Sequence, residues 1–207
     1  MISRGYFKNF VFVHIPKTAG TSIATTISTS WKYKTSFKPY VHATALDIVD
    51  ILGKKFFQQY SFTFVRNPWE RLHSLYYFLC QKELNPLKGE LWDQDILIKK
   101  GFKSWLLEDD FWPPYTKNIG PSSQKRTQSY FIQDANKKII VKDIFKYEHL
   151  DTDLEKLSNN IGIKFADLVR TKSTQRPDYR RDYCSETIDF VLNYHSEDIQ
   201  NFEYKFE

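Results

Sequence analysis

The chain has 207 residues, 41% of them hydrophobic and 27% charged, with 30 Lys and Arg against 25 Asp and Glu for a formal net charge of +5. That length suits one compact domain spanning residues 1–207 with a real core, and the balance is that of a globular protein rather than a disordered or fibrous one. The charge carries no long basic run of the kind a nucleic-acid tail needs, and Cys80 and Cys184 stand in no CxxC or Cys/His spacing, so nucleic acid and a thiolate metal site are both set aside.

Met1 to Asn9 carries Arg4 and Lys8, and the apolar run behind it is about six residues, too short to cross a bilayer or to be a cleaved leader. The expected location is therefore the cytoplasm of a bacterial-type cell, unless an anchor removed from a longer parent placed the chain in a Golgi lumen. No transmembrane segment is expected, and peripheral membrane association stays open. Phe10-Val-Phe-Val-His-Ile15 reads as a buried parallel strand that Pro16 stops. Thr21 to Trp31 reads as a helix with Ile23, Ile27 and Trp31 on one face. Lys32 to Tyr40 reads as a loop, and Thr44 to Leu52 as a helix ended by Gly53.

Tyr60-Ser-Phe-Thr-Phe-Val65 is the second strand, and Pro68 is well placed to open a helix running from Trp69 to Gln81 on a stripe of Leu72, Leu75, Tyr76 and Leu79. Ile96 to Leu107 has a helical pattern. Phe111-Trp-Pro-Pro-Tyr115 is irregular, because paired prolines fit neither helix nor strand. Ile139 to Tyr147 reads as a strand or hairpin, Asp151 to Asn160 as a helix closed by Gly162, Thr171 to Tyr183 as a basic loop, and Ser185 to Asn201 as a last helix with Glu186 in its first turn. Strands alternating with helices predict an α/β domain with a mostly parallel sheet.

Two places on this outline carry chemistry. Pro16-Lys17-Thr18-Ala19-Gly20-Thr21-Ser22 lies between a strand and a helix. There, unpaired N–H groups and the positive end of the helix dipole favour an anion. Gly20 lets the backbone approach, Thr21 and Ser22 add hydroxyls, and Lys17 adds a point charge. The loop departs from the Gly-x4-Gly-Lys-Ser/Thr pattern of nucleoside triphosphate sites, since its lysine precedes its glycine, and no metal-holding Asp ends the second strand. That strand ends in Arg66, within Phe62-Thr-Phe-Val-Arg66-Asn-Pro-Trp-Glu-Arg71-Leu-His-Ser74. A guanidinium at the carboxyl end of a strand matches a phosphate dianion, and Ser74 in the second turn of the next helix supplies another donor to the same crevice. The plainer reading of Arg66 is an ion pair with Glu70 at i+4.

His14-Ile-Pro-Lys-Thr-Ala-Gly-Thr-Ser22 resembles the 5′-phosphosulfate-binding loop of sulfotransferases, above all carbohydrate enzymes of the heparan 2-O and related bacterial type. Arg66 and Ser74 resemble the 3′-phosphate-binding element of the same family. The resemblance implies a P-loop-NTPase-like three-layer domain whose central sheet is flanked by helices. It implies 3′-phosphoadenosine 5′-phosphosulfate (PAPS) as sulfuryl donor, 3′,5′-adenosine diphosphate (PAP) as product, no metal, and a carbohydrate or other hydroxyl acceptor. Lys17, Thr18, Ala19, Gly20, Thr21 and Ser22 would hold the 5′ side, with Arg66 and Ser74 on the 3′ side.

Sulfuryl transfer needs a cation for the leaving oxygen and a base for the acceptor's proton. Lys17 takes the first role. His42, in Tyr40-Val-His42-Ala-Thr-Ala45, takes the second, since the resemblance puts a catalytic histidine in this segment; a histidine packing locally at a helix start is the alternative. Lys172 to Arg181 carries four cations, and in the family a basic loop of this region closes over the nucleotide, which makes Ser173, Arg176 and Arg180 candidate donor contacts. Trp112 to Tyr115 and Gln124 to Tyr130 are candidates for an acceptor groove, their aromatics stacking on sugar faces and Gln124 and Gln128 fixing hydroxyls. Of the other histidines, His14 reads as a core residue or one behind the site, His73 as pointing away from Ser74, and His195 as a satisfied core histidine. A P-loop small-molecule kinase using ATP and Mg²⁺, and a non-catalytic module for anionic glycans, are the rival readings.

Overall fold

In the computed structural model, which describes residues 6–7, 10–30, 42–81, 94–108, 126–165 and 175–207, the alternating phenylalanines of short segments find one another. β2 (Phe10–Val13) and β3 (Tyr60–Val65) run parallel with Phe12 opposite Phe62. β3 pairs in parallel with β4 (Asp143–Lys146), Phe64 opposite Phe145, and β1 (Tyr6–Phe7) joins β2 antiparallel, giving the order β1-β2-β3-β4. Because side chains alternate along a strand, Phe10, Phe12, Phe62, Phe64 and Phe145 share one face. There they pack against Ile23, Ala24 and Ile27 of α1 (Gly20–Ser30) and against Leu154 and Leu157 of the helix Leu150–Ile161. The opposite face, Val11, Val13, Ser61, Thr63 and Val65, is no more than 1% exposed. The Thr63 hydroxyl is tolerated in it because it donates to the Val13 carbonyl at 2.8 Å. A parallel sheet buried on both faces, flanked by helices, is the expected α/β architecture.

The described chain divides into two compact units, residues 1–66 with 128–171 and residues 67–127 with 172–207. In the first, α2 (Ala45–Leu52) begins at a capping box: Thr44 Oγ1 accepts from the Asp47 amide at 3.1 Å, and Asp47 Oδ2 accepts from the Thr44 amide at 2.7 Å. Gly53, at φ 55°, closes that helix. The short α3 (Lys55–Gln58) and α6 (Gln128–Ile132) were not legible in the sequence. The segment expected as a strand or hairpin, Ile139 to Tyr147, contains the strand β4, and Ile139 at its start makes an isolated antiparallel bridge to Gln133 outside it. α7 (Leu150–Ile161) ends at Gly162 in the left-handed conformation, φ 66°.

In the second unit Asn67 caps α4 (Pro68–Cys80), its Oδ1 accepting from the Trp69 amide at 3.1 Å, with Pro68 at the first helical position. α5 (Gln94–Leu107) covers the expected helix but is kinked at Gly101, φ 79°, which only glycine adopts without strain. Tyr76 of α4 meets Phe102 and Trp105 of α5 at ring separations of 5.4 Å each. The single last helix expected over Ser185 to Asn201 is instead α8 (Ser185–Tyr194) and α9 (Ser196–Phe202), broken at His195. Glu197 and Asp198 sit in the first turn of α9, where the dipole favours carboxylates, and buried His195 faces Asp198 at 3.4 Å. Trp31, Lys32 to Tyr40 and Phe111 to Tyr115 lie outside the described residues. Among the described residues no helix is long and apolar enough to cross a membrane.

Candidate active site

The chain leaves β2 through Ile15 and Pro16 and turns into α1 within four residues. Lys17 and Ala19 take positive φ, 66° and 61°, while Thr18 and Gly20 between and after them do not. Alternation of this kind turns successive N–H groups toward one side, a concavity suited to an anion. α1 has no acidic residue in its first turn to offset its positive end. Thr18 is fully buried and its hydroxyl donates to the Ile15 carbonyl at 3.0 Å, closing the turn, so what it has for a ligand is its amide. Thr21 is half-buried and Ser22 buried. Gly20 has a further reason to be glycine. A β-carbon there would fall 1.8 Å from His14 Cδ2 and 2.0 Å from His14 Nε2.

Arg66 stands at the carboxyl end of β3, 4% exposed. Its backbone is clamped at both polar atoms. The amide donates to Gln128 Oε1 and the carbonyl accepts from Gln128 Nε2, each at 2.8 Å. Its guanidinium lies over the Tyr147 ring, 3.8 Å from the centroid, and Nη1 donates to the Lys17 carbonyl at 3.2 Å. The two motifs separated in sequence therefore adjoin. Gln128 does not serve an acceptor groove, because it is wholly buried and its amide holds Arg66. Gln124 and Trp112 to Tyr115 lie outside the described residues.

His42 is half-buried and has φ 70°, an uncommon conformation for a residue with a side chain. Its Nδ1 is 3.0 Å from the His14 carbonyl. A carbonyl only accepts, so Nδ1 carries a proton, and in the neutral form of the ring the lone pair is on Nε2. The rings of His14 and His42 are 4.5 Å apart, and His14, 4% exposed, also stacks on Phe12. His14 is thus a core residue that stands behind the site.

The remaining candidates belong to the second unit. Ser74 is buried on α4. Glu70 accepts from Arg176 Nη2 at 2.9 Å, and Arg176 Nη1 lies 3.0 Å from His73 Nδ1. Arginine only donates, so His73 Nδ1 accepts and its Nε2–H donates to Asp182 at 2.8 Å; the Tyr77 hydroxyl donates to the same carboxylate at 2.7 Å. Burial lowers the His73 pKa, against the opposing pull of the hydrogen bond to Asp182. Arg180 donates through Nε to Asp178 at 2.8 Å on the surface. Ser173 lies outside the described residues. Among the described residues no cluster of three or more His, Cys, Asp or Glu side chains is arranged to hold a metal ion.

Sequence reasoning singled out Gln128 but missed its role as the clamp on Arg66, and it missed the use of the His14 ring. His14 had a signal, a bulky polar residue six positions before a glycine across one tight turn. The partner of Gln128 had none, since Arg66 lies 62 residues away in the chain. Searches among curated proteins and among solved structures each found no match. A model of the sulfotransferase family matches residues 4–205, nearly the whole chain. With the parallel sheet, the turn into α1 and the strand-end arginine in place, the chain belongs to the sulfotransferase family, whose members transfer sulfuryl groups.

Proposed function

We propose that this sulfotransferase takes its sulfuryl group from PAPS and delivers it to a hydroxyl, with a carbohydrate as the acceptor class. The observation that carries the reading is the hydrogen bond from Arg66 to the Lys17 carbonyl, 3.2 Å long. It joins two anion-binding elements in one unit, as a nucleotide with phosphates on both its 5′ and 3′ positions requires. The turn supports the same ligand, offering amides in alternating conformation at a helix start with Lys17 beside them. The carbohydrate acceptor rests on the likeness of the His14 to Ser22 string to carbohydrate enzymes.

When bound, the donor supplies a sulfuryl group whose bond to a phosphate oxygen breaks as a bond to the acceptor oxygen forms. The chain has two tasks in that exchange. His42, its Nδ1–H held by the His14 carbonyl, takes the acceptor's hydroxyl proton on Nε2. Lys17 holds the negative charge that collects on the departing phosphate oxygen.

The test is transfer of labelled sulfate from PAPS to a panel of glycans, lipid-linked sugars and small alcohols. His42→Ala should lower turnover by about 10²- to 10⁴-fold and leave PAP binding intact. Lys17→Ala should lower both turnover and affinity. Full activity in both variants on a real acceptor would remove these roles. Thermal stabilisation should be larger with PAP than with ATP and Mg²⁺, the reverse being the result a kinase would give.

A further inference from the structure

We propose that His14 is a positioning residue. Its buried ring interlocks with Gly20 at the start of α1 on one contact and with the ring of His42 on another, so that the anion-binding turn and the base are set by a single side chain. The inference rests on the assignment of His42 as base. Four observations carry it. The ring of His14 fills the space a β-carbon on residue 20 would need, with Cδ2 1.8 Å and Nε2 2.0 Å from that point. Contacts that short do not occur, so α1 can begin where it does only because residue 20 has no side chain. Residue 20 is not glycine for its backbone angle, since its φ is not among the positive ones. The same ring lies 4.5 Å from the His42 ring, and the carbonyl of the same residue accepts the His42 Nδ1–H at 3.0 Å. Finally, His14 is 4% exposed and stacked on Phe12 with ring centroids 5.6 Å apart, so the sheet helps to hold it in place.

His42 needs such support. A side chain at φ 70° keeps that conformation only when its surroundings over-determine it. A hydrogen bond to a carbonyl fixes the ring's tautomer but leaves it able to swing about the bond. The His14 ring blocks that swing on one side, which points Nε2 in one direction.

A mutant cycle tests the interlock without reference to activity. Gly20→Ala alone should lower the thermal midpoint by about 4–10 °C, as overpacking does in a chain of this size. In a His14→Ala background the same change should cost nothing or raise the midpoint, because alanine is a better helix residue than glycine once the space is empty. In a His14→Phe background, where a flat ring remains, it should again be costly. An equal cost of Gly20→Ala in all three backgrounds would overturn the interlock.

Positioning is read separately. His14→Ala should reduce kcat about tenfold and, because the turn is loosened too, weaken PAP binding about threefold, and His14→Phe should recover most of both losses. Unchanged kcat in His14→Ala, or a loss that appears only as weakened PAP binding, would overturn it. A wild-type protein that neither binds PAP nor transfers sulfate would overturn the function proposed above, while the temperature cycle still decides the interlock.

Discussion

The two units hold their candidate ligand-binding arginines and their histidines in different ways. In the first, the His14 carbonyl faces His42, and the Lys17 carbonyl and the Tyr147 ring face Arg66, while a carboxylate pair, Lys156 with Asp153, stands on α7. In the second, the partners are carboxylates: Glu70 for Arg176, Asp178 for Arg180, Asp182 for His73. A carbonyl dipole or a ring face orients a cation and leaves its charge in place, whereas a carboxylate cancels it. On the proposed function, the difference teaches that a count of basic residues does not locate an anion site; the kind of partner does. The C-terminal segment is the more basic by sequence, with four cations between Lys172 and Arg181. Of its described arginines, Arg176 and Arg180 are nonetheless engaged by carboxylates of their own unit.

The largest expected effect breaks or sharpens that contrast directly. Arg66→Ala should weaken PAP binding about 10- to 150-fold, the worth of a charge-assisted hydrogen-bonded contact of about 1.5–3 kcal/mol. Arg176→Ala should change PAP affinity by less than about threefold and instead lower stability by about 1–3 kcal/mol, because Glu70 and His73 lose the donor between them. Calorimetric titration and thermal unfolding of both variants decide the matter, and equal losses of affinity would abolish the distinction between the units.

Next in size is Gln128→Leu. The substitution leaves the Arg66 amide and carbonyl buried with their partner removed, at a cost of about 2–4 kcal/mol and a fall in thermal midpoint of about 4–12 °C. PAP affinity should fall as well, since the strand end that presents the guanidinium is no longer clamped. A variant with wild-type stability would show that the clamp carries no weight.

How much of this could be read from the chain alone follows from the range of the interactions involved. β2, β3, α1 and α4 were legible because local signals mark them: apolar runs, Pro16, Asn67 and Pro68, and the stripe from Leu72 to Leu79. The turn at Lys17 to Ser22 and the strand-end Arg66 were legible because residue type and place in a strand–turn–helix unit coincide. The break at His195 and the kink at Gly101 were not, since a helical pattern continues through both and packing decides where it yields. The Gln128 clamp and the His14–Gly20 contact were not, because each depends on atoms brought together by the fold, 62 residues apart in the first case. The Arg66–Glu70 pair, a fair inference from spacing, competes with a fact invisible in the sequence, that Glu70 accepts from Arg176.

A third prediction concerns pH. The folded pKa of His73 is depressed from the ordinary 6.5, chiefly by burial. Between the folded and unfolded values the unfolded chain binds the proton and the folded one does not, so stability is complete above about pH 6.5 and is lost as pH falls. The slope this one group adds can reach about 1.4 kcal/mol per pH unit. His73→Gln keeps a donor for Asp182 but does not titrate. Its midpoint should therefore fall less than that of wild type between pH 7 and pH 5, and parallel curves would show that His73 takes up its proton equally in both states.

The smallest effect is expected at Arg180. Its side chain and that of Asp178 are both exposed, and such pairs contribute little because water screens them and both side chains lose freedom. The hydrogen bond from Arg180 holds the Asp178 carboxyl well below the usual range, yet the same carboxylate also accepts from the Arg180 backbone amide at 3.0 Å and so caps the short turn Tyr179–Arg181. Arg180→Ala removes the guanidinium and keeps that backbone bond. The thermal midpoint should stay unchanged, and PAP affinity should stay within about twofold if the acid partner holds the guanidinium against recruitment by phosphate. A tenfold weakening would mean that the nucleotide competes successfully with Asp178 for this arginine, and Asp178→Asn should then tighten PAP binding by releasing it, which would move Arg180 from the structural group to the ligand-binding one.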